Sequence, residues 1–161
     1  MTGSTAPFDL VVTRLGPDAP LPYDLLLLAD ETREAIDRYV HRSAVYTVAL
    51  AGDATPVAAF VLRTDADAVE LMNIAVTDAL QGRGIGAQLI THIRNEALRA
   101  DRKLLRVGCA DAGFHELRFY RRQGFRVTGV RKDFYTLHYA KPLFADGIQL
   151  RDMLVLELAL A

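Results

Sequence analysis

The segment that most restricts how this chain can fold runs from Glu70 to Ala87. Glu70-Leu71-Met72-Asn73-Ile74-Ala75-Val76 reads as a strand and residues 77–80 as a short turn. Gln81-Gly82-Arg83-Gly84-Ile85-Gly86-Ala87 then reads as a loop, with three glycines at alternate positions, that opens an amphipathic helix. Glycines have no Cβ, so successive backbone N–H groups can face one way and approach a ligand closely. Those N–H groups fall where a helix start has unsatisfied donors and the positive end of its dipole. Such a place suits a phosphate or pyrophosphate, and Arg83 adds a permanent charge with forked donors. Taken alone, the same letters also fit a tight strand-to-helix turn that binds nothing.

Two familiar phosphate motifs can be tested against the letters. A Walker loop ends in Gly-Lys-Ser/Thr, whereas Gly86 is followed by Ala87-Gln88. A dinucleotide fingerprint needs two residues between its second and third glycines, and here there is one. Neither motif is present.

The flanking pattern sets the fold class. Residues 8–15 alternate like an opening strand, and Pro17, Pro20 and Pro22 break the chain after it. Residues 23–42 carry apolar side chains near helical spacing, with an interruption expected around Asp30-Glu31. Strands are expected at 44–50, 56–63 and 69–76, joined by Gly52-Asp53 and the acidic 65–67 loop. The second half predicts a helix over 84–100, a strand over 104–109 and a helix over 114–123 ended by Gly124. Strands over 126–137 and 153–160 complete the chain. This order predicts an α/β protein with a mixed sheet and helices on both faces.

Gln81-Gly82-Arg83-Gly84-Ile85-Gly86 resembles the Gln/Arg-x-x-Gly-x-Gly/Ala signature of the GNAT superfamily of N-acetyltransferases. Tyr120-Arg121-Arg122-Gln123-Gly124-Phe125 is similar to that family's second signature, a tyrosine four residues before Gly-Phe. The tail pieces Asp133-Phe134-Tyr135, His138-Tyr139 and Gly147-Ile148-Gln149-Leu150-Arg151-Asp152-Met153 resemble the YvbK-like bacterial branch. The resemblance implies the GNAT acyl-CoA N-acyltransferase fold, in which a central, mostly antiparallel, twisted sheet splays between two parallel strands.

It also implies roles. Acetyl-CoA is the expected cosubstrate, with its pantetheine arm along Ile74, Ala75 and Val76 and its pyrophosphate on the N–H groups from Gln81 through Gly82, Arg83, Gly84, Ile85 and Gly86 to Ala87. Tyr120 matches the family tyrosine that protonates the leaving thiolate; the plain reading of it is a core aromatic. Glu70, eleven positions before Gln81, matches a glutamate that accepts the amine proton, or else is an exposed strand-end residue. Asp111 stands where the family often has an asparagine on the coenzyme arm, and a carboxylate there can accept but not donate. The implied reaction is direct attack by a primary amine of a small molecule or peptide, without an acyl-enzyme. The competing expectation is a non-catalytic acyl-CoA-binding sensor or interaction module.

The bulk numbers agree. The length of 161 residues fits one domain over 1–161. A net charge of -1 argues against a nucleic-acid partner, and no apolar run is long enough to span a membrane. His41, His92, His115 and His138 are scattered, and Cys109 stands alone, so no metal-ligand spacing is present. One cysteine allows no internal disulfide, which suits the cytoplasm, and residues 1–6 show no secretory pattern. The apolar final strand suits a homodimer interface.

Overall fold

The computed structural model describes residues 7–160; residues 1–6, on which the secretory expectation rests, lie outside them. Nine strands and five α-helices are formed among the described residues. Seven strands make one sheet in the order β1-β2-β3-β4-β5-β9-β6, and β7 and β8 pair separately. Two compact units divide the chain and share strand β4, one comprising residues 7–63 and 72–95, the other 64–71 and 96–160.

In the first unit β1 (Leu10–Arg14) pairs antiparallel with β2 (Ala44–Leu50), and β2 with β3 (Pro56–Thr64). The helical region between β1 and β2 is interrupted as the sequence implied. It forms α1 (Tyr23–Leu26) and α2 (Arg33–Val40). Thr32 starts α2 by accepting a hydrogen bond from the Ala35 amide at 3.1 Å, satisfying one of the donors a helix start leaves open. Leu26, Ile36, Val40, Val45, Ala59 and Val61 form a buried cluster with Tyr39. Burial of each large aliphatic side chain of that kind contributes about 1.5–3 kcal/mol. Helix α3 (Ile85–Arg99) buries Ile85, Leu89, Ile90 and Ile93 at helical spacing.

In the second unit β5 (Leu104–Ala110) is central. It runs parallel to the start of β4 (Val69–Val76), with Val69 opposite Leu105, Glu70 opposite Arg106 and Leu71 opposite Val107. On its other side β5 pairs antiparallel along its whole length with β9 (Met153–Ala159), which pairs with β6 (Arg126–Arg131). Helix α4 (Phe114–Arg122) is followed by Gly124 at φ +99°, a conformation that costs glycine little.

One predicted strand is shorter than expected. Instead of running to residue 137, β6 stops at Arg131. Asp133 takes φ +56°, its amide donates to Asp152 Oδ1 at 2.8 Å, and α5 (Phe134–His138) follows. The aromatic run Phe134-Tyr135 favours a strand by propensity, but its rings pack on one another and on His138 and Tyr139. That i, i+4 clustering is helical. The short hairpin of β7 (Phe144–Ala145) and β8 (Ile148–Gln149) turns through Asp146-Gly147, both at positive φ.

Candidate active site

The glycine loop starts where β4 ends. A single 3₁₀ turn (Asp78–Leu80) follows the strand, and the Thr77 amide holds it to the Val57 carbonyl at 2.8 Å. Gln81 then folds its side chain back, donating from Nε2 to the Val76 carbonyl at 2.9 Å and to Asp78 Oδ1 at 3.1 Å. The sequence reading gave Gln81 only a backbone role; its amide side chain also fixes the angle between strand and loop.

Gly82 and Gly84 sit at φ +72° and +89°, and a Cβ at either would meet no atom within 4 Å. Backbone conformation, not crowding, therefore requires glycine there, and the space beside the loop is open. The Gln88 amide closes the first turn of α3 onto the Gly84 carbonyl at 3.1 Å. The amides of Ile85, Gly86 and Ala87 lie ahead of it, where a helix supplies no carbonyl partner. Gln81 to Gly84 are exposed, and Ile85 is buried as the first anchor of the helix. Arg83 rests its guanidinium over the Phe8 ring, 5.0 Å from the centroid. The Gln88 side chain fixes Phe8 in turn, accepting from its amide at 3.0 Å and donating to its carbonyl at 2.9 Å.

On β4 the side chains of Ile74 and Val76 are partly exposed and Ala75 is buried. Asn73 is buried, donating from Nδ2 to the Leu26 carbonyl and to the Tyr39 hydroxyl, each at 3.0 Å. The Tyr39 hydroxyl in turn donates a hydrogen bond to Asp30 Oδ2 at 3.1 Å. This polar chain ties β4 to the turn between α1 and α2. Sequence reasoning missed it, because Asn73 reads as an ordinary residue of an alternating strand.

Glu70 is 3% exposed, so the reading of it as an exposed strand-end residue is wrong. Its Oε1 accepts a hydrogen bond from Arg131 Nη2 at 3.0 Å. Nothing in the sequence signalled Arg131, since 61 positions separate the partners.

Tyr120 is buried on α4, with Phe119 and Phe125 edge-on at centroid distances of 5.2 and 5.6 Å. Burial is the largest influence raising its hydroxyl pKa, and nearby Cys109, Glu116 and Tyr135 push the same way. The phenol is thus held in its neutral, proton-bearing form. Cys109, on β5, is buried too; its thiol is pushed up to about 12, first by burial and then by Glu116 and Asp111. A thiol so protonated is a poor nucleophile.

Asp111 uses both carboxylate oxygens on the chain itself. Oδ1 accepts from the Arg151 amide and Oδ2 from the Asp152 amide, both at 3.2 Å, while its own amide donates to the Asp152 carbonyl at 2.9 Å. Aspartate suits this position because an acceptor is what two amides require. Among the described residues no helix is long and apolar enough to cross a membrane.

The GNAT acetyltransferase domain model matches residues 42–127, which span the loop and Tyr120. The chain belongs to the GNAT family of acetyltransferases. YvbK, an N-acetyltransferase of Bacillus subtilis (strain 168), is 38% identical over 138 residues, covering 86% of this chain and 88% of that protein. A GNAT family acetyltransferase from Elizabethkingia anophelis, solved with acetyl-CoA bound, is 33% identical with a TM-score of 0.88, covering 94% of this chain and 99% of that one. A Bacillus subtilis acetyltransferase solved with CoA is 32% identical with a TM-score of 0.84, covering 95% and 100%.

Proposed function

We propose that this chain transfers the acetyl group of acetyl-CoA to a primary amine of a small molecule or peptide, by direct attack on the thioester. The observation that carries the reading is the glycine loop between β4 and α3. Gly82 and Gly84 take positive φ with open space beside them, and the amides of Ile85, Gly86 and Ala87 follow at the start of α3. The pyrophosphate of acetyl-CoA falls to the N–H groups from Gln81 to Ala87, with Arg83 adding charge. The amide-bearing pantetheine arm runs along β4 and pairs with the backbone of Ile74 and Val76, as an added strand does.

The amine nitrogen attacks the thioester carbonyl carbon and forms the C–N bond. The oxyanion is met by backbone N–H near Val76. The C–S bond breaks, the thiolate takes the Tyr120 hydroxyl proton, and the proton lost by the amine passes through water to Glu70. The neutral state of Tyr120 supports its part, and the raised thiol of Cys109 supports a route without an acyl-enzyme. Asp111 supports the site by ordering residues 151 and 152, in place of a direct contact with the arm. The same reading takes the chain as one cytoplasmic catalytic domain.

The test is release of free thiol from acetyl-CoA over a panel of polyamines, aminoglycosides, amino acids and peptide N-termini. Turnover with at least one amine supports the reading. Binding of acetyl-CoA without turnover on any of them leaves the non-catalytic acyl-CoA-binding module.

A further inference from the structure

We infer that Arg131 is the positioning residue for Glu70, an assignment that rests on the proton-accepting role given to Glu70 above. Glu70 lies on β4 and Arg131 at the end of β6, the outermost strand, so two strands, β5 and β9, lie between them in the sheet order. The guanidinium is gripped at two points on the way. Nη1 meets Met153 Sδ at 3.7 Å and Nη2 meets Glu70 Oε1 at 3.0 Å.

This crossing depends on Gly108 of β5. A Cβ there would stand 2.4 Å from Met153 Sδ and 2.9 Å from its Cε, so the methionine lies in the space a side chain would take. Met153 is opposite Arg131 in the β6–β9 register and opposite Ala110 in the β5–β9 register. Gly108, Met153 and Arg131 thus form one contiguous path leading to Glu70. Arg106, the register neighbour of Glu70, is engaged with Glu157 at 2.9 Å and Asp67 at 3.3 Å.

The chemistry fits a positioning role. A carboxylate that is 3% exposed carries a large desolvation cost, which a hydrogen-bonded cation offsets. A guanidinium stays charged in a protein, and its planar fork sets direction as well as charge. A carboxylate that must take a proton through one ordered water needs a fixed orientation, because small misplacements lower the rate steeply. Arg131 is itself part-exposed, 40% at the side chain.

The experiment is a double-mutant cycle on the full chain, run with whichever panel amine turns over fastest and checked by thermal unfolding. Glu70→Gln, Arg131→Met, Arg131→Lys and the Glu70→Gln/Arg131→Met pair are compared. Arg131→Met is expected to lower kcat roughly 10–100-fold, a part of what a general base supplies, with KM for acetyl-CoA within about twofold. Arg131→Lys, which keeps the charge, is expected to recover most of that loss. In the Glu70→Gln background Arg131→Met should cost nothing more. A normal rate for Arg131→Met beside a slow Glu70→Gln overturns the positioning role alone, as do additive losses in the pair. An unchanged rate for Glu70→Gln overturns the base itself and this inference with it. If Arg131→Met fails to fold, Arg131→Lys decides: a kcat a few-fold below the parent at parental KM, with no further loss when it is added to Glu70→Gln, is expected, and an unchanged kcat or a loss additive with that of Glu70→Gln overturns the role.

Discussion

Met153 Sδ occupies the space above Gly108, where a Cβ would come within 2.4 Å of it. Gly108→Ala therefore displaces the end of the Met153 side chain. Because a thioether is flexible, the stability cost should be modest, about 1–3 kcal/mol as for other overpacked sites. The larger effect should be on rate, since the Met153–Arg131–Glu70 path is disturbed. Chemical denaturation and kcat measured together check this; a variant with parental kcat would show that the path carries nothing.

Tyr120→Phe keeps the ring between Phe119 and Phe125 and removes the proton. Turnover should fall by about 10²–10⁴-fold, the range for a positioned acid, with acetyl-CoA affinity nearly unchanged. Steady-state kinetics with calorimetric titration separates the two quantities, and a variant equal to its parent would remove Tyr120 from the mechanism.

Gly82 and Gly84 need positive φ, so alanine at either should destabilise the loop by roughly 1–3 kcal/mol without any clash. The account also expects weaker acetyl-CoA binding from the same variants, because the N–H groups are misaimed. Binding equal to the parent in a folded Gly84→Ala protein would count against the pyrophosphate assignment.

The Cys109 thiol gives an alkaline prediction. Its native pKa is raised from 9.0 to about 12, so the native state favours the protonated thiol more than the unfolded chain does. That contribution is complete below pH 9, where both states hold the proton. It is lost as pH climbs from about 9 to about 12, where the unfolded state releases it first. Denaturation midpoints measured between pH 8 and 11 should fall less steeply in Cys109→Ala than in the parent.

Much of this was legible from sequence, for physical reasons that differ by element. The 69–76 strand and the helix from residue 85 were readable because their periodicity is strong and the glycines mark the junction. The break near Asp30 was readable because the acidic Asp30-Glu31 pair interrupts the apolar spacing of residues 23–42. The end of β6 was not, since Lys132-Asp133 carries no glycine and the aromatic residues after it favour strands. Within the site, the backbone roles of Ile74 and Val76 were implied by the family resemblance, and the side-chain partnerships were not readable at all. Gln81 with Val76, Asp111 with the 151–152 amides, and Glu70 with Arg131 are set by strand order and reach, which local spacing does not encode.

The most direct measurement is thermal unfolding of the parent with acetyl-CoA, beside NADH and ATP. At about 100 times its dissociation constant, a ligand of the native state adds roughly 2.7 kcal/mol. The account predicts a clear upward shift with acetyl-CoA and none with NADH or ATP. No shift at millimolar acetyl-CoA would contradict it, and the glycine loop would then be no more than a turn from strand to helix.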